Sequence, residues 1–217
     1  MQTTADACEQ MIEQQVRAWD VLDERVLDAM RRVPRELFVP LAQRYCAYAD
    51  LEVPLARNQH MLRPSVVGRL LQALLPRDGE QVLEVGAGSG FVTACLRVMA
   101  RRVRSFEVFP ELADEARRNL TLLGMRDVEV VNADALHADS GAGYDVIALT
   151  ASLPVYDARF ERRLAIGGRL FVVVGEPPVM DARLVRRTAE DSFATRSLFE
   201  TVIDPLVNAP RSPEFTF

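Results

Sequence analysis

The chain has 217 residues, 49% of them hydrophobic and 26% charged, with a net charge of −5 at pH 7 and a mean hydropathy of +0.01. That length suits one α/β domain with a small extension, and the apolar fraction excludes a wholly disordered chain. All 26 basic residues are arginine, which excludes Schiff-base and P-loop lysines, and the acidic balance argues against a nucleic-acid partner.

The first 35 residues read as helical. Met11, Ile12, Val16 and Trp19 follow a 3.6-residue period between Glu9 and Trp19, and a second helix is predicted from Asp23, its N-cap, with Val26, Leu27 and Met30 on one face. Val33-Pro34 ends it. Residues 34–64 carry Pro34, Pro40, Pro54 and Pro64, and are predicted to be a long irregular segment of the kind that is often functional. From Ser65, the residues Val66, Val67, Leu70, Leu71, Leu74 and Leu75 make another helix face, stopped by Pro76 and Asp78-Gly79.

An alternating series follows: strand Gln81–Val85, helix Ser89–Met99, strand Val103–Val108, helix Pro110–Leu123, strand Val128–Val131 and strand Tyr144–Leu149. A short helix over Arg159–Leu164, a turn at Gly167-Gly168 and a strand over Arg169–Val174 come next, with one or two more strands between Arg183 and Ile203. Strands alternating with helices predict an α/β fold, an open and mostly parallel sheet covered by helices on both faces. Residues 1–64 are read as a helical extension and loop packed on an α/β part over 65–217, the two making one structural unit.

His60 and His137, with Cys8, Cys46 and Cys95 far apart, offer no zinc-ligand spacing, so no metal is expected, and the scattered thiols read as reduced packing residues. No apolar run nears the roughly 18 residues of a membrane span, and Met1 to Glu9 lacks the basic and apolar regions of a secretory signal. The expectation is a cytoplasmic protein with no membrane partner.

The informative stretch is Val82-Leu83-Glu84-Val85-Gly86-Ala87-Gly88-Ser89-Gly90. A strand running into glycines and then a helix lets a ligand approach backbone N–H groups at the helix N-terminus. A dinucleotide fingerprint would need a third glycine at position 91, which is Phe91. Glu107 ends the second strand, where a carboxylate can accept from both hydroxyls of a ribose, and Asp134 ends the third, where it can accept from an adenine amino group. Three acids at three successive strand ends mark the crevice where open α/β sheets bind ligands, and point to an adenosine-containing one.

These residues resemble the cofactor motifs of class I S-adenosylmethionine-dependent methyltransferases with a Rossmann-like sheet. More narrowly, the chain resembles the protein-L-isoaspartate O-methyltransferases over nearly its full length, through Val33-Pro34-Arg35-Glu36-Leu37-Phe38-Val39-Pro40, Ala47-Tyr48-Ala49-Asp50, Pro54-Leu55, Gln59 with Pro64, Leu123-Gly124, Tyr144-Asp145, Gly167-Gly168-Arg169-Leu170 and Val174-Gly175. The resemblance implies transfer of a methyl group from S-adenosylmethionine to an isoaspartyl carboxylate in damaged protein, leaving S-adenosylhomocysteine, by a monomer acting on peptides or proteins. It assigns cofactor binding to Glu84, Gly86, Ala87, Gly88, Ser89, Gly90, Glu107, Val108, Asp134 and Ala135, and a substrate loop to Gln59, Leu62 and Pro64.

The acceptor loop departs from the family's Gly-Gln-Thr-Ile-Ser-Gln-Pro. Here it reads Asn58-Gln59-His60-Met61-Leu62-Arg63-Pro64, so the serine position is Leu62 and the threonine position His60. Thr150-Ala151-Ser152-Leu153 likewise replaces a Thr-Ala-Ala type of segment. His60 and Arg63 read either as a substitute anion grip, with Arg63 forking onto the acceptor carboxylate, or as solvated loop residues. Ser65 is a hydroxyl donor placed on the helix, and His137 reads as surface. Leu62 also admits a second reading, an S-adenosylmethionine-binding protein without isoaspartyl activity or with another acceptor; a nicotinamide oxidoreductase is disfavoured by Phe91.

Overall fold

The computed structural model describes residues 3–138 and 141–211. Helix α1 (Thr4–Met11) starts earlier than the apolar period alone predicts, because Thr3 and Asp6 close a capping box around its first turn. It continues through a π turn over Ile12–Val16 and a tight turn over Arg17–Trp19, ending at a left-handed Asp20 with φ 58°. The Asp23 carboxylate caps α2 (Glu24–Arg32), accepting from the Arg25 N–H at 3.0 Å. The proline-rich segment holds short turns and a two-stranded antiparallel ribbon, β1 (Val53–Pro54) with β2 (His60–Met61). Helix α3 (Pro64–Leu74) follows, with Pro64 in its first turn.

The α/β part contains β3 (Gln81–Val85), α4 (Phe91–Met99), β4 (Arg102–Glu107), α5 (Pro110–Leu122), β5 (Glu129–Asn132), β6 (Tyr144–Leu153), α6 (Ala158–Glu161), β7 (Leu164–Glu176), β8 (Val179–Ala189) and β9 (Ser192–Glu200). The sheet order is β5-β4-β3-β6-β7-β8-β9, parallel from β5 to β7 and antiparallel from β7 through β9. The central strands are apolar on both faces. Val82, Val146, Ala148, Phe171 and Val173 join one buried cluster with α1 to α5, whereas Leu83, Val85, Ile147, Leu149 and Leu170 join another with Phe160 of α6.

Two boundaries differ from the sequence expectation. Gly167-Gly168 lies inside β7 instead of forming a turn, because a register shift between Tyr144 and Val146 of the neighbouring strand accommodates it. The tail forms two long antiparallel strands joined to β7, with Glu176 pairing Val179 across Pro177-Pro178.

Candidate active site

The carboxyl ends of β3, β4, β5 and β6 border two adjoining hollows that share Gln59, Gly86, Glu107 and Ala151. The glycine loop forms the floor. Gly86 has φ +97°, and a Cβ there would stand 2.5 Å from the Thr150 hydroxyl, which itself donates to the Val85 carbonyl at 2.9 Å. Gly90 caps α4 at φ +89°, and a Cβ there would lie 3.2 Å from the Ala116 backbone of α5. The first position therefore keeps the chain under β6, and the second lets two helices meet behind the loop.

Glu107 is 5% exposed. Its Oε2 accepts from the Gly88 N–H at 2.8 Å and its Oε1 from the Phe109 N–H at 3.0 Å. Burial raises its pKa, opposed by those backbone donors. With these backbone bonds made, the carboxylate still has acceptor capacity for a vicinal diol. Asp134 borders the second hollow with Val108 and Ala135. Its Oδ1 accepts from the Leu136 N–H and its Oδ2 from Asn208 Nδ2, both at 2.9 Å, with His137 Nδ1 also at 2.9 Å. Burial works against ionisation, but these hydrogen bonds outweigh it and hold the carboxyl below its usual range.

Not every sequence candidate faces the groove. Ala87, Gly88 and Ser89 border the first hollow, whereas Gly90 packs on α5. Glu84 is fully buried beneath the loop, accepting on Oε2 from Thr93 Oγ1 at 2.5 Å and Ser105 Oγ at 2.6 Å. Its place is therefore corrected from cofactor contact to internal strut. Pro64 starts α3 and is buried.

On the acceptor side, Gln59, His60 and Leu62 border the first hollow. Arg57 and Asn58 before them are both left-handed, φ 60° and 56°, a conformation that asparagine tolerates better than most residues. His60 Nδ1 lies 2.8 Å from Asp204 Oδ2. Arg63 is not among the residues that border the two hollows. Its guanidinium lies 5.9 Å above the Trp19 ring and 3.5 Å from Thr201 Oγ1, turned from the groove because the indole face offers a cation a favourable seat. His137 is on the surface, its side chain 73% exposed.

A family model described as protein-L-isoaspartate(D-aspartate) O-methyltransferase matches residues 6–210. The chain belongs to the protein-L-isoaspartate O-methyltransferase family. A relative of that name from Aeropyrum pernix is 40% identical over 202 residues, covering 91% of this chain and 78% of its own. One from Rhodopseudomonas palustris is 38% identical and covers 92% of each chain. A Plasmodium falciparum structure described as an enzyme of this kind, in complex with S-adenosyl-L-homocysteine, shares the fold. Its TM-score is 0.78 at 19% identity, over 92% of this chain and 97% of that one.

The segments that carry the resemblance to the protein-L-isoaspartate O-methyltransferases have a common structural task. Arg35, 1% exposed, donates from Nε to the Ala47 carbonyl and from Nη2 to the Leu62 carbonyl, both at 2.9 Å, and lies 4.7 Å over the Phe91 ring. Burial lowers its pKa to about 10, which leaves it cationic at neutral pH. The Tyr48 hydroxyl donates to Glu36. Asp50 caps α3, accepting from the Ser65 N–H at 2.9 Å and the Ser65 hydroxyl at 2.8 Å, so Ser65 is committed to the scaffold. The motif thus pins the C-terminal end of the acceptor loop. Sequence reasoning missed Glu52, Thr150 and Asp204 as groove residues, since no local pattern joins positions so far apart.

Proposed function

We propose that this chain binds S-adenosylmethionine and methylates the carboxylate of an isoaspartyl residue in a peptide or protein. The observation that carries the reading is Glu107, a buried carboxylate common to both hollows with spare acceptor capacity beside a glycine floor. The residues present fit the cofactor: Glu107 would take the ribose hydroxyls, Asp134 the adenine amino group, and Gly86 to Ser89 the methionine end, where a Cβ on Gly86 would collide with Thr150. When bound, S-adenosylmethionine supplies a methyl group made electrophilic by its sulfonium. The protein's part is alignment and exclusion of water by Leu55, Met61 and Leu62 along the wall. A carboxylate with an ordinary pKa of about 4 is ionised at neutral pH, so no residue needs to remove a proton from it.

The free thiols Cys8, Cys46 and Cys95 suit a reducing compartment such as the cytoplasm, and the acidic net charge favours a peptide over a nucleic-acid substrate. Among the described residues no helix is long and apolar enough to cross a membrane.

The test is transfer of labelled methyl from S-adenosylmethionine to an isoaspartyl peptide, scored as base-labile methanol, against the same peptide with normal aspartate. Selective labelling of the isoaspartyl peptide is expected. Folded protein that binds S-adenosylmethionine and labels neither peptide would overturn the reading.

A further inference from the structure

The first hollow also holds an ionisable pair that the cofactor assignment above does not use. His60, on β2, and Asp204, on the segment after β9, both border the hollow that contains Leu62 and Thr150. Their side chains are 30% and 32% exposed, and Nδ1 of the imidazole lies 2.8 Å from Oδ2 of the carboxylate. Asp204 is itself anchored: its backbone carbonyl accepts from the Ser152 N–H at 2.8 Å, tying it to the end of β6. With Nδ1 committed to Asp204, Nε2 is the ring nitrogen available to a ligand.

The other cations nearby are partly held elsewhere: Arg35 borders the hollow with Nε and Nη2 on the Ala47 and Leu62 carbonyls and Nη1 buried without a hydrogen-bond partner, and Arg63 lies over Trp19 with Nη2 3.5 Å from Thr201 Oγ1. Leu62 carries no donor. The charged groups around the imidazole are Asp204, Glu52 and Arg63, with Arg35 and Glu107 elsewhere along the hollow. Burial and the charge of Asp204 both push the Glu52 carboxyl up, against Arg63 and His60. An anionic acceptor entering here meets two carboxyl groups and needs a compensating cation.

We propose that His60, oriented by Asp204, grips the acceptor carboxylate by donating from Nε2 as an imidazolium. Asp204 acts as a positioning residue, through the ring. The inference rests on the reading of the acceptor as an isoaspartyl carboxylate. Its physical consequence is a direction. When the imidazole is neutral with its proton on Nδ1 toward Asp204, Nε2 presents a lone pair and repels a carboxylate. Acceptor binding therefore requires the proton on Nε2.

The experiment measures binding of an isoaspartyl peptide to protein saturated with S-adenosylhomocysteine, from about pH 5 to pH 8, and kcat/KM for methylation over the same range. The wild type is expected to lose peptide affinity in a single-proton step as pH rises. His60→Gln is expected to bind roughly ten- to a hundredfold more weakly at low pH, without the step, and Asp204→Asn to keep the step but bind more weakly at its acid end, the ring having lost its orienting partner. Unchanged S-adenosylhomocysteine affinity in both variants shows that the fold is intact. A pH-independent wild type, or His60→Gln with wild-type peptide affinity, would overturn the inference. So would methylation that rises with pH through the same ionisation, which would make His60 a base for a neutral acceptor. His60-dependent peptide binding without methylation sinks the isoaspartyl reading and keeps the grip. Methylation that His60→Gln leaves intact does the reverse.

Discussion

Glu84 is a carboxylic acid with no exposed surface, placed between a strand and a helix beneath the groove. Its Oε2 collects hydroxyls from α4 and β4, Thr93 and Ser105, while its Oε1 is buried without a hydrogen-bond partner. Burial dominates, partly offset by the two hydroxyls, and lifts its pKa from 4.5 to about 7. The folded protein therefore holds this proton more tightly than the unfolded chain does. Its contribution to stability is full below the unfolded value, declines as pH rises toward 7, and is flat above it. Glu84→Gln keeps a carbonyl for Thr93 and Ser105 and has no charge to form. Urea unfolding across this range should show the wild type losing about 3 kcal/mol relative to the variant between pH 4 and pH 8. Parallel stability profiles would mean that Glu84 ionises in the folded protein as easily as in the unfolded one.

At the scale of elements, α3 is held at both ends by side chains remote in sequence. Asp50 caps its first turn, and its last turn contains no basic residue of its own. Arg169 of β7 supplies the missing cation. It donates from Nε to the Leu74 carbonyl, from Nη2 to the Leu75 carbonyl at 2.9 Å, and to both oxygens of Glu80 at 2.9 and 2.8 Å. Burial raises the Glu80 pKa, but Arg169 and the Arg77 N–H prevail and hold it below its usual range. Arg169→Leu should cost about 3 kcal/mol at neutral pH, read as a lower urea midpoint with an unchanged m-value. The Glu80 share of that loss is present above the unfolded carboxyl value and fades as pH falls through the depressed one, so the gap should narrow below about pH 4. Helices such as α2 and α3 were legible because caps, prolines and a 3.6-residue period are local signals. The Gly167-Gly168 pair was misread as a turn because its bulge is decided by the register against Tyr144, a non-local fact. The site divides the same way. Gly86 to Ser89, Glu107 and Asp134 follow strand ends and could be read in order, whereas Glu52 and His60 at the β1–β2 ribbon meet Asp204 only after two segments remote in sequence have folded. The two readings of Arg63 stayed open because nothing adjacent to it in sequence reveals its place over Trp19.

For the molecule as a whole, the decisive contact is between the N-terminal helices and the sheet that carries the groove. One buried cluster runs from Cys8 and Met11 through Val26 and Leu71 to Phe171 in β7. Gln72 of α3 clasps the turn between the N-terminal helices: its Oε1 accepts from the Leu22 and Asp23 N–H groups at 2.7 and 3.0 Å, and its Nε2 donates to the Asp20 carbonyl at 2.7 Å. Trp19, the single tryptophan of the chain, sits edge-on to Phe199 of β9 with ring centres 6.2 Å apart. Its emission therefore reports the joint between extension and sheet, while far-UV circular dichroism reports helices and strands throughout. If the extension and the α/β part fold as one cooperative unit, the two signals should share a urea midpoint. Gln72→Ala, which removes the clasp, should then lower both midpoints together, by about 1 kcal/mol in stability. Two separate midpoints, with the Trp19 signal lost first, would mean that the extension unfolds on its own. The acceptor loop, which Arg35 and Asp50 hold between the two parts, would then lose its footing while the glycine floor and Glu107 stayed in place, so peptide binding would fail at lower urea than cofactor binding.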